Sequence, residues 1–190
     1  IALEEMGLEY QIIPINILEN DQFQSDFLAI SPNNKIPAIV DQNGPNGQPI
    51  SIFESGAILQ YLGRKTGLFY PVDEVKRVQV EQWLMWQMGG LGPMLGQNHH
   101  FSRFAPERIA YATDRYVNES KRLYGVLNKQ LVGQEYVAGE YSIADMAIFP
   151  WLLRYDWQQI NLEDYPEVSK YIDRLNARPA VQKALAIQVS

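Results

Sequence analysis

The segment Asn33–Leu62, NNKIPAIVDQNGPNGQPISIFESGAILQYL, changes its apolar period partway along. Ala38, Ile39 and Val40 form a short apolar run, and Ile50 and Ile52 alternate with Ser51 before Phe53, so both runs predict strands bounded by turn signals. NGPNG between them is a turn, and two strands joined by so short a loop make an antiparallel hairpin. Ile58, Leu59, Tyr61 and Leu62 then recur at helical spacing, which predicts a helix that begins at Glu54 or Ser55, crosses back over the hairpin and ends at Thr66-Gly67.

A helix N-terminus directs unpaired backbone N–H groups and a positive dipole end outward. Ser55, with bare Gly56 beside it, can receive a carboxylate there, and Glu54 can hold an ammonium group; together they suit the zwitterionic end of a small peptide. The same two residues also make an ordinary N-cap and an ordinary first-turn charge. Pro37 forces Ile36 out of the helical region. A cis bond there would turn the Ile36 N–H and C=O toward a second peptide backbone, whereas a trans bond makes Pro37 a plain turn proline.

SPNNKIPAIVD (31–41) followed by FESGAILQYL (53–62) resembles the glutathione-binding half of the glutathione transferases, and is nearest to the bacterial nu class with its disulfide-bond reductases; the likeness runs over nearly the whole chain. The resemblance implies a thioredoxin-like α/β domain at 1–68 whose first strand precedes Ile1, a linker at 69–74 and an all-helical domain at 75–190. It implies a cis Ile36–Pro37 bond paired with the cysteinyl backbone of glutathione, a γ-glutamyl group held by Glu54 and Ser55, and further contacts from Gln22 and Lys35. It makes Arg115 a carboxylate clamp reaching across the boundary of a homodimer. In the resembling enzymes a Thr and an Asn after the first strand donate to the thiol; both positions are expected upstream of Ile1, so the resemblance assigns no catalytic residue within this sequence.

Composition agrees with this class. Apolar residues at 46% and charged residues at 20% describe a globular chain, and 190 residues make one large or two small domains. A net charge of -6 argues against a nucleic-acid partner. Polar residues interrupt every apolar run before the ~20 residues that a spanning helix requires, so a soluble, cytoplasmic protein with no membrane partner is expected. Cysteine is absent, which removes disulfides, thiolate metal sites and a protein thiol nucleophile: the ligand has to bring the sulfur. The expected activity is conjugation of the glutathione thiol to an electrophile or, as the nu-class likeness favours, its exchange with a disulfide. The alternative is a non-catalytic glutathione-binding or regulatory module of the same fold.

Upstream, Ile1–Met6 reads as the end of a helix closed by Gly7, and Tyr10–Ile15 as a strand with Pro14 at an edge. Asp21–Ile30 spaces Phe23, Phe27, Leu28 and Ile30 as a helix, with Phe23 and Phe27 as core anchors; taken alone, Gln22 beside them is a surface amide. Downstream, Val75, Val78, Gln82, Met85 and Met88 recur at three and four, with Trp83 and Trp86 widening the face, as for a dimer surface or a central bundle helix. Gly89-Gly90, Gly92-Pro93 and Gly96 predict a break there, and a second-substrate pocket is expected near Leu91 to Phe101. His99 and His100 point about 100° apart on a helix, which favours packing over a shared metal.

Ala105–Leu131 predicts a long amphipathic helix with Ile109, Ala112, Tyr116, Leu123 and Leu127 inward; taken alone, Arg115 on it is a solvated arginine. Ser142 and Asp145 form a capping box, and Pro166 and Pro179 start the last two helices.

Overall fold

The computed structural model describes residues 1–188. Ala38–Asp41 (β1) and Ile50–Phe53 (β2) pair antiparallel in the register Ala38↔Phe53, Ile39↔Ile52, Val40↔Ser51, Asp41↔Ile50. Ser55–Thr66 (α3) lies over this hairpin and buries Ile58, Leu59 and Leu62 against it and the neighbouring helices. Asp41 secures the arrangement: it accepts from the Tyr61 hydroxyl at 2.6 Å and pairs with the Lys65 ammonium, which also donates to the Asn43 carbonyl at 2.9 Å.

Ala2–Glu5 (α1) is held by the far end of the chain. Arg178 donates to both Glu5 oxygens at 2.6 and 2.8 Å, and its guanidinium sits 3.7 Å from the centre of the Tyr141 ring. Tyr10–Ile15 is not a strand. A strand needs a ladder partner, the sheet of the described residues contains only β1 and β2, and Ile13 is 74% exposed. The helix expected over Asp21–Ile30 is divided into a 3-10 turn, Asp21–Phe23, and Ser25–Ile30 (α2), because Gln24 is extended at φ -67° and ψ 146°. Phe27 is buried as expected, while Phe23 is 54% exposed and anchors nothing.

Glu74–Trp86 (α4) begins on Asp73, whose side chain accepts from the Lys76 N–H at 2.9 Å. Its inward line is Val80 and Leu84; Val75, Val78 and Met85 of the expected stripe face outward. The glycine-rich run after it does not break the helix. Gln87–Leu91 forms a π turn, Gly92–His99 (α5) continues from it, and His100–Phe104 forms a second π turn. A π turn absorbs an extra residue without leaving helical geometry, and Pro93 follows directly after it, as the second residue of α5. Gly92 is there for proximity: a Cβ on it would stand 2.6 Å from Gln87 Nε2 and 3.2 Å from Trp151 Nε1.

Ala110–Gln130 (α6) starts later than expected. Ile109 is its N-cap and 48% exposed, and the inward line is Thr113, Val117, Ser120, Leu123, Tyr124 and Leu127. Two polar residues on this line are matched across the core: Asn98 Nδ2 donates to Ser120 Oγ at 2.8 Å, and the Tyr124 hydroxyl to Gln158 Oε1 at 2.6 Å. Ile143–Leu152 (α7), Pro166–Asn176 (α8) and Pro179–Leu185 (α9) complete the bundle. The capping box of α7 forms, and Asp145 does more than close it. Its carboxylate accepts from the Ser142 N–H at 2.8 Å, the Ser142 hydroxyl at 3.0 Å, the Val137 N–H at 2.9 Å and the Tyr171 hydroxyl at 2.7 Å.

Two outcomes follow. Asp145→Asn sets an NH2 group among four donors, so it should cost about 2–3 kcal/mol and lower the thermal midpoint by roughly 5–10 °C, as read by calorimetry. Lys65 first, then Tyr61, holds the Asp41 carboxyl below its usual range. The folded value therefore lies under the unfolded one, and the stabilisation is complete at neutral pH and lost as acid protonates the folded carboxyl. The difference in midpoint between wild type and Asp41→Asn should narrow as pH falls below about 4; a constant difference would remove the ion pair from the account.

Candidate functional site

The hairpin register builds the site. Because Ala38 faces Phe53, the residues one step further along, Pro37 and Glu54, lie across from each other at the same end of the sheet. Asn33 joins them, donating from Nδ2 to Glu54 Oε1 at 3.3 Å. The loop leading in is pinned by buried Ser31, whose hydroxyl donates to the Lys35 carbonyl at 2.8 Å. The Ile36–Pro37 bond is cis, and Ile36 is 53% exposed at this end.

Glu54 stands at the N-cap of α3 with φ 68° and ψ 116°, a backbone state that residues with a side chain rarely adopt. Strain of this kind persists where surrounding structure over-determines it, and such places cluster at functional sites. Neither residue caps the helix. Glu54 makes no side-chain cap bond, and the Ser55 hydroxyl donates to Met88 Sδ at 3.7 Å. The first N–H groups of α3 thus carry no side-chain acceptor from either, so Ser55 is not an N-cap, while Glu54 still places a negative charge at the helix start.

Gln22 lies on the 3-10 turn leading into α2, with Oε1 buried and unpartnered among the described residues. A buried acceptor without a donor is uncommon in native structures. Arg115 is exposed on α6, beside a groove of about 660 Å³ lined by Met94, Tyr111, Asp114, Asn118 and Arg122. Among the described residues no hydrogen bond or ion pair joins it to the hairpin end. The structure therefore gathers Lys35, Ile36, Pro37, Glu54 and Ser55 at one end of β1 and β2, and leaves Gln22 and Arg115 on other elements. Sequence reasoning missed Asn33 and Met88. Asn33 had a signal in its turn position beside Pro32; Met88 had none, since it arrives from a distant helix.

His99 is packed between Trp151 and Trp157, ring centroids 6.0 and 5.7 Å away, with Nε2 unpartnered; His100 packs on Phe101 at 4.9 Å. Among the described residues no group of three or more His, Cys, Asp or Glu is placed to hold a metal ion. No helix among them is long and apolar enough to cross a membrane.

A helix-covered hairpin with a cis-proline edge, followed by an all-helical bundle, defines a thioredoxin-like domain joined to a helical one. The family descriptions "Glutathione S-transferase, N-terminal domain" and "Glutathione S-transferase, C-terminal domain" match residues 1–64 and 92–179. Disulfide-bond oxidoreductase YfcG of Escherichia coli is 52% identical over 185 residues, covering 96% of this chain and 86% of that protein. A Pseudomonas putida glutathione transferase, solved with one glutathione disulfide per subunit, superposes with a TM-score of 0.94 at 48% identity over 99% of this chain and 85% of that one. A Burkholderia graminis glutathione transferase, solved with two glutathione molecules per subunit, gives 0.92 at 45% identity over 97% and 80%. The chain belongs to the glutathione S-transferase family.

Burial, then the nearby Arg154 and Arg103 guanidiniums, pushes the His99 imidazole below its ordinary value of 6.5. The ring is neutral at pH 7, and the unfolded chain takes up the proton more readily, so protonation of His99 works against the fold as pH drops. A titration of the imidazole by NMR should give a midpoint under 6.5; a midpoint above it would show that the ring is not buried as described between the two tryptophans.

Proposed function

We propose that this chain is a glutathione-dependent disulfide-bond oxidoreductase of the transferase type, working through the thiol of its bound tripeptide. The observation that carries the reading is the meeting of the exposed Ile36 edge and an uncapped helix N-terminus at one end of the hairpin. The Ile36 N–H and C=O pair with the cysteinyl backbone. The Ser55 hydroxyl and the first N–H groups of α3 take the glutamyl carboxylate, where the helix dipole favours negative charge, and Glu54 takes the ammonium. The buried Gln22 carbonyl accepts an N–H of the ligand. Lys35 adds positive charge, and Arg115 supplies more from the partner subunit of a homodimer.

Residues 1–68 thus hold the tripeptide and residues 75–190 wall the second-substrate side, in a cytoplasmic enzyme. The chain has no cysteine, so the glutathione thiolate attacks one sulfur of the substrate disulfide, a mixed disulfide forms and the other sulfur leaves as a thiolate. A second glutathione thiolate then attacks the mixed disulfide, yielding glutathione disulfide and the second reduced product. The name of the E. coli relative and the glutathione disulfide in the P. putida structure support this over conjugation.

The test is glutathione-dependent reduction of a small symmetrical disulfide by the full-length protein, beside calorimetric titration with glutathione. Turnover is expected, and Ser55→Ala should raise the glutathione Kd about tenfold with little change in thermal midpoint. Binding without turnover would leave a non-catalytic glutathione-binding module, and no binding would reject the site.

A further inference from the structure

Met88 belongs to the helical half of the chain and lies on the π turn that follows α4, yet its side chain rests on the first turn of α3. Two observations fix this placement. Its sulfur accepts the Ser55 hydroxyl at 3.7 Å. Its Cγ, Sδ and Cε lie 3.2, 3.3 and 3.4 Å from where a Cβ on buried Gly56 would stand, so the thioether lies close along the helix start, and a side chain at 56 would press on it. The π turn allows both this and a sealed core: Gln87 and Leu91 turn inward and are buried, while Met88 points to the hairpin side and is half-buried.

A serine hydroxyl has a single proton to donate. With a thioether as its acceptor, that proton is held in a defined direction but weakly, because sulfur is a poor acceptor. An arriving carboxylate makes a charge-assisted bond, roughly twice as strong as a neutral one, and captures it at small cost. A strong acceptor at the same place would keep the proton. An empty place would admit water to the Gly56 face, where the N–H groups of α3 gain from low local dielectric.

We propose that Met88 is a positioning residue for the ligand carboxylate: it acts through Ser55, by aiming the hydroxyl and keeping that side of the α3 N-terminus dry. The proposal rests on the glutathione reading given above, and its failure can be told apart from the failure of that reading. Glutathione Kd, KM and kcat are measured on the full chain for wild type, Met88→Leu, Met88→Gln, Ser55→Ala and the double variant.

Met88→Leu keeps the apolar cover and should stay within about twofold of wild type, since only a weak bond is lost. Met88→Gln offers the hydroxyl a strong acceptor and should raise Kd about tenfold, with KM rising more than kcat falls. In the Ser55→Ala background the glutamine should add less than about twofold, because the proton it traps is gone. Wild-type affinity in Met88→Gln, or an undiminished penalty in the double variant, would overturn the role of Met88. An unchanged Kd in Ser55→Ala would instead overturn the assignment of the helix terminus itself. Should Met88→Gln not fold, Met88→Ala takes its place: severalfold weaker binding supports the proposal and unchanged binding rejects it.

Discussion

The pairing of Ala38 with Phe53 governs most of what this chain can do. A shift of one residue along a strand turns every side chain to the opposite face. In the observed register Ile39 and Ile52 pack against the core, while Val40 and Ser51 face solvent. The same register is what brings Pro37 and Glu54 together. Core and site therefore depend on one constraint, and the hydrophobic requirement of the core enforces the geometry of the site. Asp41, at the other end of β1, adds a polar stop: its bonds to Tyr61 and Lys65 tie the strand to the second half of α3, so the helix start stays over the proline edge.

The helical half contributes by being continuous. A break at the glycine run would have separated α4 from α5; two π turns instead carry one helical path from Glu74 to Phe104. That path brings Met88 onto α3, and its next segment seats Asn98 in the core, where it donates to Ser120 and to the Gln158 carbonyl at 2.9 Å. Buried amides satisfied in this way specify one packing arrangement, since any slip would leave them unpaired. The clasp of Glu5 by Arg178 extends the same logic to the ends of the chain, joining α1 to α9 through a bidentate ion pair.

What could be read from the sequence was what depends on near neighbours. The hairpin, the start of α3, the α7 capping box and the prolines opening α8 and α9 all rest on residues within a few positions of one another. The readings that failed depended on distant partners. Tyr10–Ile15 has strand composition but finds no ladder among the described residues. Gly92 looked like a flexible breaker, and its meaning comes from Gln87 and Trp151 pressing against it. Phe23 and Phe27 have equal claims in sequence, and the extended Gln24 between them sends one out and the other in. In the site, Pro37, Glu54 and Ser55 were legible as a motif. Asn33 could be read only as a turn residue, since its bond to Glu54 joins positions 21 apart, and Met88 could not be read, because it spans two halves of the chain.

The proposed function gives a reason why the site breaks local rules. On that reading the ligand brings its own thiol and the protein holds a flexible tripeptide so that one sulfur points the right way, which calls for fixed polar groups that are weakly engaged by the rest of the described residues. Glu54 in a left-handed backbone state, Gln22 with a buried unpaired oxygen and a serine hydroxyl bound only to sulfur are each unfavourable or weak in the free protein. Glu54 and Ser55 lie at the end of the hairpin, and Gln22 lies on the turn leading into α2. Departures from local preference are expected where function requires them and the rest of the fold can offset them. Here the offset is visible, in the Asp41 tie, the Asp145 network and the Arg178 clasp. A bound peptide would satisfy the unpaired groups with its own N–H groups and carboxylate, so binding energy is released at the positions where the free chain is least content.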